Sequence, residues 1–214
     1  MSYLNKSRML ILSAIGIVLA IIVGVLAGNY LTVNSTPTQA IREAGIVVLP
    51  TSRELPALQL ASTTGVIQHT QALTWQWSLV FFGYTFCPDI CPTTLAELRQ
   101  LKKLLPVEAQ DNIQTLMVSV DPNRDTSEQL KLYLEYFDPS FIGLTGELAD
   151  IQTLSNALSI PFIPGDTSQP RYTVDHSGNL AIISPDGRQY GFVRAPLDVK
   201  KLAEQLPNIM AIAP

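Results

Sequence analysis

One stretch of the chain indicates both its fold and its chemistry: Ser78-Leu-Val-Phe-Phe-Gly-Tyr-Thr-Phe-Cys-Pro-Asp-Ile-Cys-Pro92. Its first part, Ser78–Tyr84, is a continuous apolar run bounded by turn residues, which is typical of a strand buried on both faces. Leucines then recur at helical spacing from Pro92 to Leu105, and Pro106 ends that pattern. The stretch therefore predicts a central buried strand, a loop that carries two cysteines, and a helix.

On either side of this stretch, short apolar segments alternate with amphipathic ones. The predicted strands are Ile46–Leu49, Ala57–Leu60, Val66–His69, Asn112–Val120, Tyr172–Val174, Leu180–Ser184 and Tyr190–Arg194, and the predicted helices are Ser127–Phe137, Leu148–Leu158 and Pro196–Leu206. Pro185-Asp-Gly187 is a turn signal that joins the last two strands as a hairpin. Periodicity alone indicates a mixed α/β protein. The order of elements is that of a thioredoxin-like fold, in which helices flank a central mixed sheet.

The N-terminal region contains a segment long enough to cross a membrane. From Met9 to Gly28 the only clearly polar residue is Ser13, and a helix of this length rises roughly 30 Å, about one hydrocarbon core. The apolar region of a cleaved signal peptide is normally shorter, about 7–15 residues, although Val25-Leu-Ala27 would pass as a cleavage site. We therefore predict a single transmembrane helix at residues 9–28, with cleavage as the alternative.

The charges beside this helix set its orientation. Lys6 and Arg8 precede it, and the positive-inside tendency keeps residues 1–8 in the cytoplasm. So short a segment cannot be an Arg-rich mitochondrial presequence, and the expected location is a bacterial inner membrane. A polar linker at residues 29–44 would then lead to a periplasmic domain at residues 45–214.

The chain of 214 residues is acidic and poor in soft ligands. Its net charge is -4, and without the two basic residues before the membrane segment it has 12 basic against 18 acidic residues. Such a domain lacks the basic face of a nucleic-acid-binding protein. Its two cysteines cannot build a disulfide-dense scaffold, so any cysteine chemistry depends on this one pair.

Cys87 and Cys91 lie between the buried strand and the helix that follows it. Pro92 suits the first turn of that helix, whose unpaired N–H groups stabilise a thiolate at either cysteine. With three residues between them, the two sulfurs can close a disulfide or bind one ion together. Packing alone would not explain why both cysteines of an exported chain stand at a strand end and a helix start.

Only His69 and His176 can add an imidazole to the two sulfurs. His69 follows an early strand and is predicted to be a surface residue, whereas His176 precedes the C-terminal hairpin, whose entry lies against the cysteine loop in a thioredoxin-like fold. Two thiolates and one imidazole suit copper, because Cu(I) accepts three ligands and Cu(II) can add an oxygen ligand. Zinc would need a fourth protein ligand, which Asp89 or Asp175 could supply. Either aspartate could instead support the ligands through hydrogen bonds.

Four stretches of the chain resemble one protein family. They are Phe82-Gly-Tyr-Thr-Phe-Cys-Pro-Asp-Ile-Cys-Pro92, Val118-Ser-Val-Asp-Pro-Asn-Arg-Asp-Thr126, Phe141-Ile-Gly-Leu-Thr-Gly146 and Val174-Asp-His-Ser177. Through them the chain resembles the SCO/SenC family of membrane-anchored, thioredoxin-fold proteins that deliver copper during the assembly of cytochrome c oxidase. The resemblance implies that Cys87, Cys91 and His176 are copper ligands and that the apo copper-binding subunit of the oxidase is the partner. The chain departs from the family at Gly178-Asn179, where a bulkier apolar and aromatic stretch is usual.

The leading hypothesis is therefore a copper metallochaperone rather than an enzyme. Copper binding needs reduced cysteines, so a thiol reductant such as a thioredoxin-like protein is a second expected partner. The alternative is a thiol–disulfide oxidoreductase that reduces the cysteines of the oxidase subunit, although such enzymes favour a C-x-x-C spacing. A peroxidase of peroxiredoxin type is disfavoured, because Tyr84 and Val80 stand before Cys87 where that active loop has Thr or Ser and Pro.

Two further groups of residues are predicted to have structural roles. The segment Asp121-Pro-Asn-Arg-Asp125 follows the second buried strand, and its predicted role is a turn in which Arg124 pairs with Asp121 or Asp125. Docking of a partner at this sheet edge is the alternative role. Trp75 and Trp77 precede the central strand and are predicted to pack in the core.

Overall fold

A computed structural model describes residue 12, residues 14–25 and residues 37–212 of the chain. Residues 14–25 form a helix, α1, whose side chains are exposed. The predicted cytoplasmic segment 1–8 and residues 9–11, 13 and 26–28 of the predicted anchor lie outside the described residues. Within the ranges that are described, no helix is both long and apolar enough to span a bilayer.

Of the six further α-helices in the described residues, four correspond to predicted helices, and the two shortest are not predicted by the sequence. Within the predicted linker at residues 29–44, residues 29–36 lie outside the described part of the chain, and a short helix, α2 (Pro37–Glu43), follows. The later helices are α3 (Ile90–Leu104), α4 (Val107–Gln110), α5 (Ser127–Phe137), α6 (Leu148–Ala157) and α7 (Val199–Ile212). Helix α5 is capped by Thr126, whose side chain accepts a hydrogen bond from the Gln129 N–H at 3.2 Å.

One mixed sheet runs through the described domain. Its strands are β1 (Ile46–Glu54), β2 (Gln59–Ser62), β3 (Ile67–His69), β4 (Trp77–Gly83), β5 (Ile113–Ser119), β6 (Ile142–Thr145), β7 (Leu180–Ile183) and β8 (Arg188–Val193). They lie side by side in the order β1-β8-β7-β4-β5-β6-β2-β3. Strands β4, β5 and β6 are parallel to one another, whereas β7 is antiparallel to β4 and forms the predicted hairpin with β8.

The core lies around the central strands β4 and β7, all of whose residues are buried. Leu95, Leu98 and Leu101 of α3 are buried as well, and this helix packs against α7 and α5. The leucine spacing therefore identified the face of α3 that covers the core. A parallel strand-helix-strand unit followed by an antiparallel hairpin and a last helix is the thioredoxin-like arrangement that the order of elements predicts.

The directions of the strands determine which segments of the chain meet at the sheet edge that carries the cysteines. The carboxyl ends of the parallel strands β4 and β5 share one edge. Because β7 is antiparallel to β4, with Leu180 opposite Phe81, the segment that enters β7 arrives at this same edge. We call residues 84–91 the cysteine loop and residues 172–179 the histidine segment. The topology alone places them side by side.

Some predicted elements differ from the observed ones. Residues 172–174 form no strand, and the only ladder contact beside them in the described chain is an isolated bridge between Ile163 and Asp175. Helix α3 begins at Ile90, so Cys91 lies inside its first turn rather than before it. Helix α7 begins later than predicted and continues past Leu206 with Pro207 inside it.

The two tryptophans have different environments. Trp77 is buried in β4 and packs edge-to-face against Tyr190, with ring centroids 5.3 Å apart, so its predicted core position is confirmed. The prediction for Trp75 is wrong, because this residue is 89% exposed. Its φ of +79° places it in a turn ahead of β4, where the backbone directs the side chain away from the core.

Candidate metal centre

The cysteine loop is shaped by the end of strand β4 and the start of helix α3. Cys91 is fully buried in the first turn of α3, over Gly83 at the end of β4. A Cβ atom at Gly83 would lie 2.8 Å from the Cys91 sulfur and 2.6 Å from the Phe81 ring, too close for any side chain. The absence of a side chain at Gly83 therefore makes room for the Cys91 sulfur under the loop.

Backbone N–H groups point at both sulfurs. The Tyr84 N–H donates to the Cys91 sulfur at 3.3 Å, and the Cys91 N–H donates to the Cys87 sulfur at 3.4 Å. Both cysteines are free thiols, and Cys87 is partly exposed whereas Cys91 is not. A helix start and a strand end thus give each sulfur a donor that stabilises negative charge, as the sequence predicts.

The histidine segment brings the third donor to these sulfurs. Nε2 of His176 lies 3.4 Å from the Cys91 sulfur, and Nδ1 lies 3.2 Å from the carbonyl oxygen of Ser177. In the metal-bound form, a proton on Nδ1 would bond that carbonyl and leave Nε2 unprotonated, as a metal ligand must be. The imidazole stands edge-on to the rings of Phe81 and Tyr84, with centroids 5.9 and 5.6 Å away.

The three donor atoms are close enough to share one ion. The two sulfurs and one imidazole nitrogen all lie within 4.8 Å of one another. Around a trigonal first-row ion, with bonds of about 2.3 Å to sulfur and about 2.0 Å to nitrogen, neighbouring donors lie roughly 4 Å apart. Small side-chain movements would therefore bring Cys87, Cys91 and His176 into coordinating positions.

The two thiols differ strongly in acidity. The pKa of Cys87 is lowered to about 4, chiefly because the Cys91 side chain donates a hydrogen bond to its thiolate, with backbone N–H groups adding to the effect. Burial raises the pKa of Cys91 well above its usual range, and its hydrogen bond to Cys87 acts in the same direction. The apo site thus holds one proton between two sulfurs, and a bound cation would displace it.

The other predicted candidates lie outside this cluster. His69 is exposed at the end of β3, in agreement with its predicted surface position. Asp89 and Asp175 are exposed too, and neither carboxylate has a hydrogen-bond or ion-pair partner among the described residues. The three-residue donor cluster contains no carboxylate, so a fourth ligand or a supporting role for Asp89 or Asp175 stays a prediction.

The sequence did not single out the buried carboxylate that fixes the cysteine loop. Asp125, after β5, accepts hydrogen bonds from the Thr85 N–H at 3.1 Å, the Thr85 hydroxyl at 2.6 Å and the Ser119 hydroxyl at 2.7 Å. Burial raises the pKa of Asp125, and these donors oppose that rise. The sequence signal for Asp125 is its position just after a parallel strand, because Asp125 then shares the sheet edge of Cys87.

A second set of contacts fixes the histidine segment. Arg124 forms an ion pair with Asp121, one of the two partners that the sequence predicts, and its Nη2 donates to the Tyr172 carbonyl at 3.1 Å. The Tyr84 hydroxyl accepts a hydrogen bond from the Val174 N–H at 3.2 Å. Nothing in the local sequence pattern indicates that these residues, distant along the chain, meet around the donor cluster.

Comparison with known proteins places this architecture in a family. The SCO1/SenC family model matches residues 50–211. A Stutzerimonas stutzeri protein named for copper binding is 45% identical over 78% of this chain and 82% of its own length. The structure of Bradyrhizobium japonicum ScoI with copper bound is 30% identical, with a TM-score of 0.64 over 72% of this chain and 98% of that one. Yeast Sco1 with copper bound is 26% identical, with a TM-score of 0.69 over 76% and 91%. These matches confirm the thioredoxin-like fold, and the chain belongs to the SCO1/SenC family.

Proposed function

We propose that this member of the SCO1/SenC family is a copper metallochaperone that binds the ion through Cys87, Cys91 and His176. The observation that carries the proposal is the convergence of two sulfurs and one imidazole nitrogen within 4.8 Å. Copper is the cargo, and the recipient is the apo copper-binding subunit of cytochrome c oxidase, as the family resemblance implies. Delivery then occurs while the oxidase is being assembled.

Ligand chemistry supports copper over the commoner alternatives. Thiolates are soft ligands that select Cu(I), and imidazole also suits copper. A structural zinc site would be closed by four protein ligands, and the donor cluster has three. Structural relatives from Bradyrhizobium japonicum and yeast are copper-bound, which agrees with this choice.

The arrangement also suits release of the ion. Three protein ligands leave room for a ligand from the recipient, so the ion can pass by stepwise exchange without becoming free. Cys87 is partly exposed, and Phe86 and Ile90 beside it are exposed apolar side chains that a docking protein could cover. Cys91 is fully buried, so we expect its bond to the ion to be the last one broken.

The redox state of the cysteines would control loading. Both sulfurs are thiols in the structure, and a disulfide between them would remove two of the three donors at once. A thiol reductant such as a thioredoxin-like protein would therefore be needed whenever the two cysteines have become oxidised. We further propose that residues 9–28 anchor the chain in a bacterial inner membrane, with the domain from residue 45 onward in the periplasm near the oxidase.

Anaerobic titration of the reduced full chain in mild detergent with Cu(I), against a competing chelator, tests the proposal. We expect about one tightly bound copper per chain, because the described part contains one three-donor cluster. Oxidation of Cys87 and Cys91 to a disulfide should abolish this binding, and reduction should restore it. Copper binding of equal strength in the oxidised protein would overturn the proposal.

A thiol–disulfide oxidoreductase is the second candidate, favoured by the acidity and partial exposure of Cys87. Its thiolate would attack a substrate disulfide, forming a mixed disulfide and releasing one substrate thiolate. Cys91 would then displace the second substrate thiolate, leaving a Cys87–Cys91 disulfide that an external dithiol reduces. This activity would persist in His176→Ala and be lost in either cysteine variant, whereas copper binding would be weakened in His176→Ala and lost in either cysteine variant.

A further inference from the structure

We infer that Arg124, held by Asp121, is a positioning residue that fixes the histidine segment against the cysteine loop and so sets the place of the third donor. The inference rests on the proposed copper site and concerns a residue that is not itself a ligand. Arg124 lies on the loop between β5 and α5, and it contacts the segments on both sides of the donor cluster.

On one side, the ion pair of Arg124 and Asp121 binds Tyr172 at the start of the histidine segment. Nε of Arg124 bonds the Asp121 carboxylate, and the guanidinium lies over the Tyr172 ring, 3.6 Å from its centroid. Nη2 of Arg124 donates to the Tyr172 carbonyl at 3.1 Å, while the Tyr172 hydroxyl donates to Asp121 at 2.6 Å. Backbone, ring and hydroxyl of one residue are therefore all held by a single ion pair.

On the other side, the same guanidinium reaches the cysteine loop. Its central carbon lies 4.9 Å from the ring centroid of Phe86, the residue before Cys87, and 5.7 Å from that of Tyr84. Tyr84 in turn stands edge-on to His176 and accepts the Val174 N–H. Arg124 thus lies between the two segments whose separation determines the distance from sulfur to nitrogen.

The histidine segment depends on these contacts because the sheet does not hold it. Residues 172–174 lie outside every strand, and in the described chain only the Ile163–Asp175 bridge ties this part of the segment to a neighbouring backbone. Asp121 is 2% exposed, and separating its carboxylate from Arg124 would leave a buried charge without its partner, which is costly. The pair is therefore fixed in place, and it can act as a rigid support for Tyr172.

Conservative variants separate positioning from general stability. Arg124→Lys keeps a cation beside Asp121 but removes the planar group that stacks on Tyr172 and bonds its carbonyl. Tyr172→Phe keeps the ring and removes only the hydroxyl that bonds Asp121. Arg188→Lys is the matched control, because Arg188 pairs with Glu54 at 2.8 Å between strands β8 and β1 and touches neither segment.

The test uses the full chain in reduced form. Supporting residues behind metal ligands are typically worth about 10–100-fold in affinity, and we expect Arg124→Lys to weaken Cu(I) binding about tenfold and Tyr172→Phe by less. X-ray absorption should show both sulfurs retained and the nitrogen contribution weakened. In the apo protein, the Val174 amide should exchange with solvent faster, so each variant is compared with wild type in three readouts: copper affinity, nitrogen contribution and amide exchange. Arg188→Lys should change none of them.

Two outcomes would overturn the inference. The first is an Arg124→Lys protein that is less stable to heat yet has wild-type affinity, nitrogen contribution and Val174 exchange, since the role is then structural only. The second is a Tyr172→Phe protein that matches wild type in all three readouts, and this variant decides the question if Arg124→Lys fails to fold. If wild-type protein binds no copper, the proposed function fails, and Val174 exchange in the apo variants still tests the positioning role.

Discussion

The cysteine loop and the histidine segment meet at one site but are held in different ways. The loop is fixed by its neighbours in sequence, since strand β4 ends at Gly83, helix α3 begins at Ile90, and backbone N–H groups orient both sulfurs. The histidine segment lies outside the regular ladder and depends on residues far away along the chain, above all Tyr84 and Arg124.

The cysteine loop and the histidine segment therefore have different tasks. In the proposed site the cysteine loop would supply two soft donors, which favour a metal such as copper. The histidine segment would supply one donor and complete the coordination. Damage to the loop should therefore abolish binding or disturb the fold, whereas damage to the segment should weaken binding and leave the fold intact.

Removal of a sulfur should have the largest effect. We expect Cys87→Ser and Cys91→Ser to retain no copper above background in the anaerobic titration, because one thiolate and one imidazole are too few soft donors. Thr94→Ser is the control, as Thr94 is buried in α3 near the loop but offers no sulfur. A cysteine variant with wild-type affinity would show that copper binds elsewhere on the chain.

Removal of the imidazole should have a smaller effect. His176→Ala should still bind copper through the two sulfurs, with affinity lowered at least about tenfold, since even residues that only support a ligand are worth that much. His69→Ala, which changes an exposed histidine outside the cluster, should be indistinguishable from wild type. Undiminished affinity in His176→Ala would remove this residue from the site.

Gly83 lies directly before the cysteine loop and Gly178 lies within the histidine segment, and replacing each glycine shows how tightly its surroundings are packed. A Cβ at Gly83 would meet the Phe81 ring at 2.6 Å, so Gly83→Ala should lower the free energy of unfolding by about 1–3 kcal/mol. A Cβ at Gly178 would meet Thr94 and Ala195 at 3.2 Å, and Gly178→Ala should cost less than about 1 kcal/mol. Urea denaturation of the reduced apo proteins measures both, and equal losses would contradict the difference in packing.

The smallest expected effect is that of the histidine segment on thiol acidity. The pKa of Cys87, about 4, is due mainly to Cys91, and His176 is the weakest of its causes. Because this pKa lies below the unfolded value of about 8.5, the thiolate's contribution to stability is complete above about pH 8.5 and is lost as the pH falls through about 4.

Alkylation of the reduced apo protein measures this acidity. The rate at Cys87 should be level above about pH 5 and fall below it, while buried Cys91 stays unmodified. His176→Ala should move the midpoint upward only slightly. A midpoint near that of an ordinary thiol in this variant would show that the histidine segment, not the cysteine loop, controls the reactivity of Cys87.

The two regions also differ in how far the sequence could predict them. Apolar runs, leucine spacing and prolines predict strand β4, helix α3 and the cysteine loop at their junction, because these signals are local. The same signals predict a strand at residues 172–174, which is wrong, because long-range contacts to Tyr84 and Arg124 hold that segment in an irregular course. Trp75 is a similar case, since its exposure follows from a positive φ that composition does not reveal.

For the donor cluster, the kinds of residue present predicted more than the periodicity of the sequence did. Only two cysteines and two histidines exist in the chain, so the donor set could be narrowed before any distance was known. The supporting roles of Asp125 and Arg124 could not be predicted in this way. The sequence predicts their segment as a turn at this sheet edge, and only the folded structure shows which side chains they contact.

X-ray absorption spectroscopy of the copper-loaded, reduced full chain tests the central claim most directly. We predict that two sulfur atoms and one imidazole nitrogen surround the ion, because these donors lie within 4.8 Å of one another in the structure. A shell of sulfur alone, or one that contains no sulfur, would contradict the claim that the cysteine loop and the histidine segment build one copper site.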